Sequence, residues 1–416
     1  MDATIITIGD EILIGQITDT NSAFIAKTLN NIGVRIKEIR SISDNKNRII
    51  NTLNDVLKPG GLVLMTGGLG PTSDDITKKV LAEYTGAQRM VLHEEQLTVI
   101  EYIALKRKIP MSALNRAQAE VPDTCEVLLN CLGTAPGMWF AHNGAVLVSL
   151  PGVPFEMQAL MQEKVMPGLQ QRFQLRPIYH RTLMTFGLPE SMLAECIAPW
   201  ENALPPYLKL AYLPNPLTGV KLRLSAYDTT QGNVAEEVER QVWRLRQVIG
   251  DALYGEESDT LEQVVGRLLL EKGATVAVAE SCTGGAIASL ITSVPGSSAY
   301  FKGAVVAYDN AVKTGLLGVA DNTLQTHGAV SLPVVEQMAV GVRRALNADY
   351  AIATSGIAGP GGGTPEKPVG TVCFAVASPS GVHAERLSFA ADRARNIARA
   401  SANALNLLRM NMLKNN

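Results

Sequence analysis

Two groups of residues in this chain have types and spacing suited to chemistry. In the first, Gly67-Gly68-Leu69-Gly70-Pro71-Thr72-Ser73-Asp74-Asp75 follows an apolar strand-like run and precedes a helical pattern. Glycines at such a turn let the main chain approach a ligand, and a helix start offers N–H groups suited to phosphate. Asp74 and Asp75 could hold a divalent cation bridging phosphate oxygens, or place a water. A second acidic turn, Gly9-Asp10-Glu11, closes the first strand-like run. Open α/β sheets bind ligands at the carboxyl ends of their strands, so both turns are expected to meet in one crevice. The structural alternative is that Thr72, Ser73 or Asp74 caps a helix while Asp75 complements its dipole. Two such turns in one domain favour a site.

The second group is Ala279-Glu280-Ser281-Cys282-Thr283-Gly284-Gly285, which follows a strand pattern and opens an alanine-rich helical one. A serine there has its hydroxyl near unpaired N–H groups, which can also stabilise an oxyanion. Serine needs a base to attack, and the better candidate is Lys313, downstream of Tyr308-Asp309-Asn310. Lysine is a base only when neutral, so burial or nearby positive charge must lower its pKa. Tyr308 could relay or orient the proton, Ser298 is the competing nucleophile, and His327 is a lesser candidate base. Each has a structural alternative: Ser281 as a helix cap, Lys313 as a solvated surface lysine, Cys282 as a small buried hydrophobe.

These groups must be positioned by folded domains. The chain has 416 residues with 46% hydrophobic and 18% charged, which suits two to four globular domains and excludes long disorder. Lys plus Arg is 37 against 39 Asp plus Glu, so no basic excess exists to drive general nucleic-acid or anionic-membrane binding. The 5 cysteines are scattered without a C-x-x-C pair, so neither a disulfide framework nor a zinc site is expected. The histidines are dispersed, which leaves room only for an oxygen-ligand site for a hard cation. No apolar run approaches a bilayer-crossing length, and Met1 to Ile5 lacks a positive n-region, so a cytoplasmic protein is expected.

Short β-branched runs alternate with amphipathic stretches: strands at 4–8, 34–42 and 62–66, helices at 21–32 and 45–57. That βαβαβ order predicts a doubly wound α/β domain. A strand at 145–150 then leads into a helix from Phe155 to about Val165, closed by Pro167-Gly168, and 169–180 reads as a connector. The middle segment, with strands at 181–186, 208–213 and 220–227 and helices at 191–200 and 234–249, reads as a small α+β unit. The third alternates again, from a helix at 260–271 to a last helix at 393–413. Three domains follow: 1–170, 178–252 and 256–416.

The combination Gly9-Asp10-Glu11…Gly15…Asp19-Thr20-Asn21, Thr66 to Thr72 with Asp74-Asp75, and Pro151-Gly152-Val153-Pro154-x-Glu156-Met157 resembles the CinA (competence/damage-inducible protein A) family. Further along, Ser281 to Gly285, Gly296-Ser297-Ser298-x-x-Phe301, Tyr308-x-Asn310-x-x-Lys313, Ser355-Gly356-Ile357-Ala358-Gly359-Pro360-x-Gly362-Gly363, Lys367 to Thr371 and Asp392-Arg393 resemble its C-terminal domain. The resemblance spans nearly the entire chain. It implies an N-terminal molybdopterin-binding-like domain with metal-dependent ADP-ribose pyrophosphatase activity and a C-terminal domain that hydrolyses nicotinamide mononucleotide (NMN) by a Ser/Lys mechanism. It also implies a KH-like middle domain.

By position, the resemblance implies Ser281, Ser298, Tyr308 and Lys313 as the catalytic group, with either serine as attacker. Thr283, Gly284, Ser355, Gly359, Gly362, Gly363 and Arg393 would bind that substrate. Glu11, Asp74, Asp75 and Glu156 would serve the metal, with Asn21, Gly68, Gly70, Thr72, Asn115 and Gln118 near the second substrate. The loop Gly359 to Thr364 is built for close main-chain approach and suits a 5′-phosphate, the alternative being a surface connector. Arg393 is a second phosphate or carboxamide partner. The middle segment lacks a Gly-x-x-Gly clamp and carries Glu236-Glu237-Val238-Glu239, so a spacer and dimerisation element is expected rather than an RNA-binding one. A homodimer is expected, with no cofactor in the C-terminal domain. Two other functions fit the resemblance less directly: a pterin-binding enzyme of molybdenum-cofactor assembly, and a non-catalytic interaction protein of DNA uptake.

Overall fold

The structure is a computed structural model that describes residues 1–72, 75–176, 178–215, 217, 219–226, 233–389 and 392–414. Contacts divide it into two compact units, residues 1–179 and, among the described residues, 180–226 with 233 onward.

The first unit opens with β1 (Asp2–Ile8), the single turn α1 (Asp10–Leu13), α2 (Thr20–Asn31), β2 (Arg35–Ile42), α3 (Lys46–Val56) and β3 (Leu62–Thr66). It continues with α4 (Thr77–Thr85), β4 (Met90–Leu92), α5 (Glu94–Arg107), α6 (Ala113–Gln118), β5 (Glu120–Pro122), β6 (Cys125–Leu128), β7 (Gly137–His142) and β8 (Ala145–Leu150). Helices α7 (Pro154–Leu160) and α8 (Met166–Arg172) complete it. The main sheet has the order β2-β1-β3-β8-β7-β6. Its first four strands are parallel and β7 and β6 antiparallel.

Both sheet faces are covered, as the near-continuous apolar strands require. Ile5 points into a core with Ile25 and Leu29 of α2 and Met157 of α7, while Ile6 and Ile8 enter a core with Ile49, Leu53 and Leu81. Asp19 and Asn45 cap α2 and α3 by accepting from Ser22 and Arg48 N–H. The helix expected to close at Pro167-Gly168 instead runs on to Arg172. A π turn over Met161–Val165, with Met166 N–H donating to Met161 O, shifts the ladder where the proline follows.

The second unit begins with β9 (Tyr179–Thr185), α9 (Glu190–Asn202), β10 (Leu208–Asn215), β11 (Gly219–Ala226), α10 (Val234–Ile249) and β12 (Leu253–Glu256). These strands form a sheet in the order β10-β11-β9-β12. There follow α11 (Leu261–Glu271), β13 (Val276–Glu280), α12 (Ala286–Thr292), β14 (Phe301–Val306), α13 (Asn310–Gly315), α14 (Asp321–His327) and α15 (Leu332–Ala345). Then come β15 (Tyr350–Gly356), β16 (Thr371–Ser378), β17 (Gly381–Ser388) and α16 (Arg393–Lys414).

The third sheet has the order β14-β13-β15-β16-β17, with β14, β13 and β15 parallel. In β13 the valines 276 and 278 pack with α11 and α16, and the alanines 277 and 279 pack against α15. The residue alternation thus sets a bulky and a small face. The helix expected to open at Ser281 starts later, at Ala286, after a turn in which Gly284 and Gly285 have φ of +62° and +102°.

In the first unit the close packing of strand ends makes one glycine obligatory. Gly67 has φ +109°, and a Cβ there would lie 2.1 Å from Ile8 O. Gly67→Ala is expected to destabilise the protein by about 2 kcal/mol or more, through strain and overpacking together. A lowered denaturation midpoint with unchanged slope would report it.

Candidate active site

Three parallel strand ends of the third sheet build the first site. Glu280, the last residue of β13, lies opposite Val306 on one side and Thr354 on the other. Ala307 N–H donates to Glu280 O at 2.7 Å, and Ser281 N–H donates to Thr354 O at 3.0 Å. Ser281 is therefore held between the chain that leads to Lys313 and the chain that carries Ser355, at the edge where open α/β sheets bind ligands.

Lys313 lies on α13, whose start is capped by Asp309 accepting from Ala311 N–H at 2.7 Å. Its side chain folds back under the strand ends and is 1% exposed. The Nζ donates to Ala307 O at 2.9 Å and Tyr308 O at 3.1 Å. Burial lowers its pKa from the usual lysine value, while the Asp309 charge opposes the shift. A neutral amine has two N–H bonds and one lone pair. With both N–H groups on carbonyls, the lone pair is left to accept a proton.

The other expected residues are distributed unevenly. Tyr308 is 63% exposed, and its hydroxyl accepts from Arg393 Nη2 at 3.3 Å. Its carbonyl, rather than its hydroxyl, is the hydrogen-bond partner of Lys313. Arg393 also donates to Gly359 O at 2.9 Å, and Asn396 to Ala358 O at 3.0 Å, so α16 grips the glycine loop. Lys367 Nζ holds His327 O at 2.8 Å, and the loop is a tethered element rather than a free connector. Gly362 has φ +88° within it, and Gly363 packs its main chain against Val369. Ser355, buried, donates to Ala329 O at 2.7 Å, and Thr283 pairs with Thr354 through their hydroxyls at 2.8 Å.

Ser298 lies apart from Ser281 and Lys313 within the chain. It is exposed in the 3-10 turn that precedes β14, and Val276 N–H at the start of β13 donates to Tyr300 O. Ser298 thus sits at the amino edge of the parallel strands and Ser281 at the carboxyl edge. Five strand residues separate them, about 16 Å at 3.3 Å per residue. Cys282 is buried, and burial, first among several causes, pushes its thiol up to about 12. It stays protonated near neutrality and is a poor nucleophile.

Sequence reasoning missed Glu280. Its carboxylate is 0% exposed and accepts from Gly285 N–H at 2.9 Å, Ile287 N–H at 3.1 Å and Ala288 N–H at 2.8 Å. The helix-start amides assigned to Ser281 are therefore taken by its neighbour. An acid as the last strand residue before a glycine turn was the available signal.

In the first unit the two turns do converge. A crevice of about 500 Å³ is lined by Glu11, Asn21, Asp44, Gly68, Gly70 and Asp75, together with the Gly152–Pro154 turn. Asn21 donates to Gly152 O at 2.8 Å and Thr66 Oγ1 at 3.3 Å, and its Oδ1 is buried with no partner among the described residues. Asp44, also missed, has its pKa raised chiefly by burial, with the charges of Asp10, Glu11 and Asp75 adding to the rise.

Four expectations change here. Asp75 accepts from Thr72 N–H at 3.0 Å and from its hydroxyl, so Thr72 braces the turn. Glu156 lies outside the crevice lining and accepts from Asn130 Nδ2 at 2.7 Å, because its place on α7 turns it toward the Asn130–Gly133 loop. Asn115 is exposed beside the cap of α6. Gln118 is buried and donates to Leu69 O at 3.4 Å, supporting the glycine turn from beneath. Lys78, its pKa pushed down by burial to about 8, fastens that support by donating to Ala117, Gln118 and Glu120 carbonyls. Asp74 lies outside the described residues. Among the described residues no three His, Cys, Asp or Glu groups are placed to hold an ion together. Glu11, Asp44 and Asp75 line the crevice as oxygen donors but are not gathered into one three-carboxylate cage, so a hard cation there would take at most two of them and complete its shell with phosphate and water.

Fold and sites together define an α/β protein with candidate sites at two sets of strand ends, one of them a crevice. Its family is given by comparison with known proteins. The family model described as "Probable molybdopterin binding domain" matches residues 4–171, "Damage-inducible protein CinA KH domain" matches 180–255, and "CinA C-terminal domain" matches 258–412. A CinA-like protein of Flavobacterium psychrophilum is 47% identical over 417 residues, covering 100% of this chain and 99% of its own. One of Cytophaga hutchinsonii is 47% identical, covering 98% and 97%. The crystal structure of competence/damage inducible protein CihA from Agrobacterium tumefaciens is 38% identical with a TM-score of 0.35, covering 36% of this chain and 94% of that one. The chain belongs to the CinA family. Among the described residues no helix is long and apolar enough to cross a membrane.

Burial separates the cysteines in a way that can be measured. Cys131 and Cys196 are exposed while Cys282 and Cys373 are buried with raised pKa values. Iodoacetamide at pH 8 is expected to label Cys131 and Cys196 in the native protein and to spare Cys282 and Cys373, read by peptide mass spectrometry.

Proposed function

We propose that the C-terminal domain hydrolyses the carboxamide of NMN, giving nicotinic acid mononucleotide and ammonia. What carries the reading is the buried Lys313 amine, with both its N–H groups on carbonyls, at the strand edge that holds Ser281. Ser281 Oγ attacks the carboxamide carbon and its proton passes to Lys313 Nζ. The amides of Cys282 and Thr283 receive the oxyanion. On collapse Lys313 returns the proton to the leaving nitrogen, ammonia departs, and water cleaves the acyl ester with the same amine as base. Ser355, Arg393 and the Gly359–Gly363 loop hold the nucleotide.

The general base must be neutral, so kcat/KM is expected to rise with pH through the Lys313 pKa, with a midpoint below the free-lysine value of 10.5. Ammonia release from NMN measures it. Ser281→Ala and Lys313→Ala are each expected to lose about 10³-fold or more in kcat, by analogy with removing members of a nucleophile–base pair. A wild-type rate in Ser281→Ala with loss in Ser298→Ala would move the nucleophile to the other edge of the sheet and overturn the assignment.

For the N-terminal domain the proposal is cleavage of ADP-ribose into AMP and ribose 5-phosphate. A divalent cation, when bound, would neutralise the adjacent phosphates and activate water. At most two of Glu11, Asp44 and Asp75 would hold it from the crevice wall, with phosphate and water as its other ligands, while the Gly67–Gly70 turn receives phosphate and Asn21 fixes the Gly152 turn. EDTA is expected to abolish ADP-ribose cleavage and leave ammonia release from NMN intact; undiminished cleavage in EDTA would remove the metal from the proposal. The match of residues 4–171 to a molybdopterin-binding model favours a second reading, pterin binding in the same crevice, for which tight pterin binding without ADP-ribose turnover is the sign. The middle domain is proposed as a spacer and dimerisation element of a cytoplasmic homodimer whose ligands are small nucleotides, not nucleic acid.

A further inference from the structure

Glu280 is a buried acid whose hydrogen bonds to described residues all go to main-chain amides. Oε2 takes Gly285 and Ile287 N–H, and Oε1 takes Ala288 N–H. Its own main chain is pinned on both sides, by pairing with Val306 and with Thr354 in the centre of the sheet. The carboxylate thus ties the start of α12 to the end of β13 and closes the turn that carries Ser281.

Most N–H groups of that turn are satisfied by main-chain carbonyls or by Glu280. Ser281 N–H goes to Thr354 O, Gly284 N–H to Ser281 O and Ala286 N–H to Thr283 O. Gly285, Ile287 and Ala288 go to Glu280. Among the described residues the Thr283 N–H has no partner and the Cys282 N–H meets only its own Sγ, so neither of the two amides that follow Ser281 is spent on a carbonyl. Acyl-transfer enzymes place such a pair beside the nucleophile to receive the oxyanion.

We propose that Glu280 is the positioning residue of the Ser281 turn: by taking the α12 amides it closes the helix start to ligands and leaves the Cys282 and Thr283 amides as the oxyanion pair. The proposal rests on the reading of Ser281 as nucleophile. Glutamine at this place keeps the shape but offers one acceptor and one donor, so at least one α12 amide faces an N–H instead of an oxygen. The turn then loosens where the oxyanion forms.

The test uses the full chain with NMN. Glu280→Gln is expected to lower kcat by between about 10-fold and 10³-fold, the scale of a lost or displaced oxyanion donor. KM should stay within about twofold, since the tie acts on the transition state. The rising pH limb set by Lys313 should keep its midpoint, and the variant must show the unaltered protein's circular dichroism and unfolding midpoint, because a mere loss of folded protein would also lower apparent kcat at constant KM. Native-state amide exchange in the unaltered protein supplies a readout that needs no variant: Gly285, Ile287 and Ala288 protected, Cys282 and Thr283 exchanging faster. Folded Glu280→Gln with wild-type kcat, beside inactive Ser281→Ala, would overturn this proposal alone. Ser281→Ala at wild-type rate would overturn the hydrolase reading and this inference with it. If Glu280→Gln does not fold, Glu280→Asp and the exchange pattern decide: unprotected α12 amides sink the proposal.

Discussion

A carboxylate and an amine lie buried at neighbouring strand ends, and each is satisfied by main chain rather than by the other. Burying an ionisable group without partners costs several kcal/mol, roughly 2–7 even for a neutral polar one. Glu280 meets that cost with three amides, and Lys313 limits it with two carbonyls and a lowered pKa. The main-chain donors and acceptors are available only because β13, β14 and β15 end in register, with Glu280 opposite Val306 and Thr354. Slip any of these strands by one residue and the alternation of the sheet would turn the faces over. Strand register is thus the constraint on which the serine turn, the lysine and the Arg393 grip on the glycine loop all depend.

The N-terminal crevice rests on different electrostatics. Its carboxylates crowd one another, and the resulting repulsion contributes to the raised pKa of Asp44. Its neutral part is built by close main-chain approach, with Gly67 against Ile8 and Asn21 bridging Thr66 and Gly152. A crevice of this composition suits an anionic ligand that arrives with a cation, whereas the C-terminal site presents no such cluster of acids. The two halves of the chain therefore use strand ends in the same way but offer different chemistry.

Much of the fold was legible in the residues themselves. The runs at 62–66, 145–150 and 234–249 are the observed elements to the residue, because apolar periodicity and glycine or asparagine boundaries act within a few positions. The convergence of the Gly9 and Gly67 turns also followed, since βαβ connections bring alternate strand ends to one edge. Less legible were the ends of elements next to function: α12 begins five residues after Ser281, and α8 continues through Pro167 behind a π turn.

The sequence alone determined many of the segments that form strands and helices, several turns that need glycine, and to which family the chain is similar, for these are local or positional properties; it did not resolve the elements between Thr77 and His142. Only the tertiary structure decided the partner of each polar group. It assigned the α12 amides to Glu280 rather than Ser281, Glu156 to Asn130, the Tyr308 hydroxyl to Arg393, and Ser298 to the far edge of the sheet. A hydrogen bond is chosen by distance and direction between groups that are remote along the chain, and those are set by how strands register and helices cross, not by spacing in sequence.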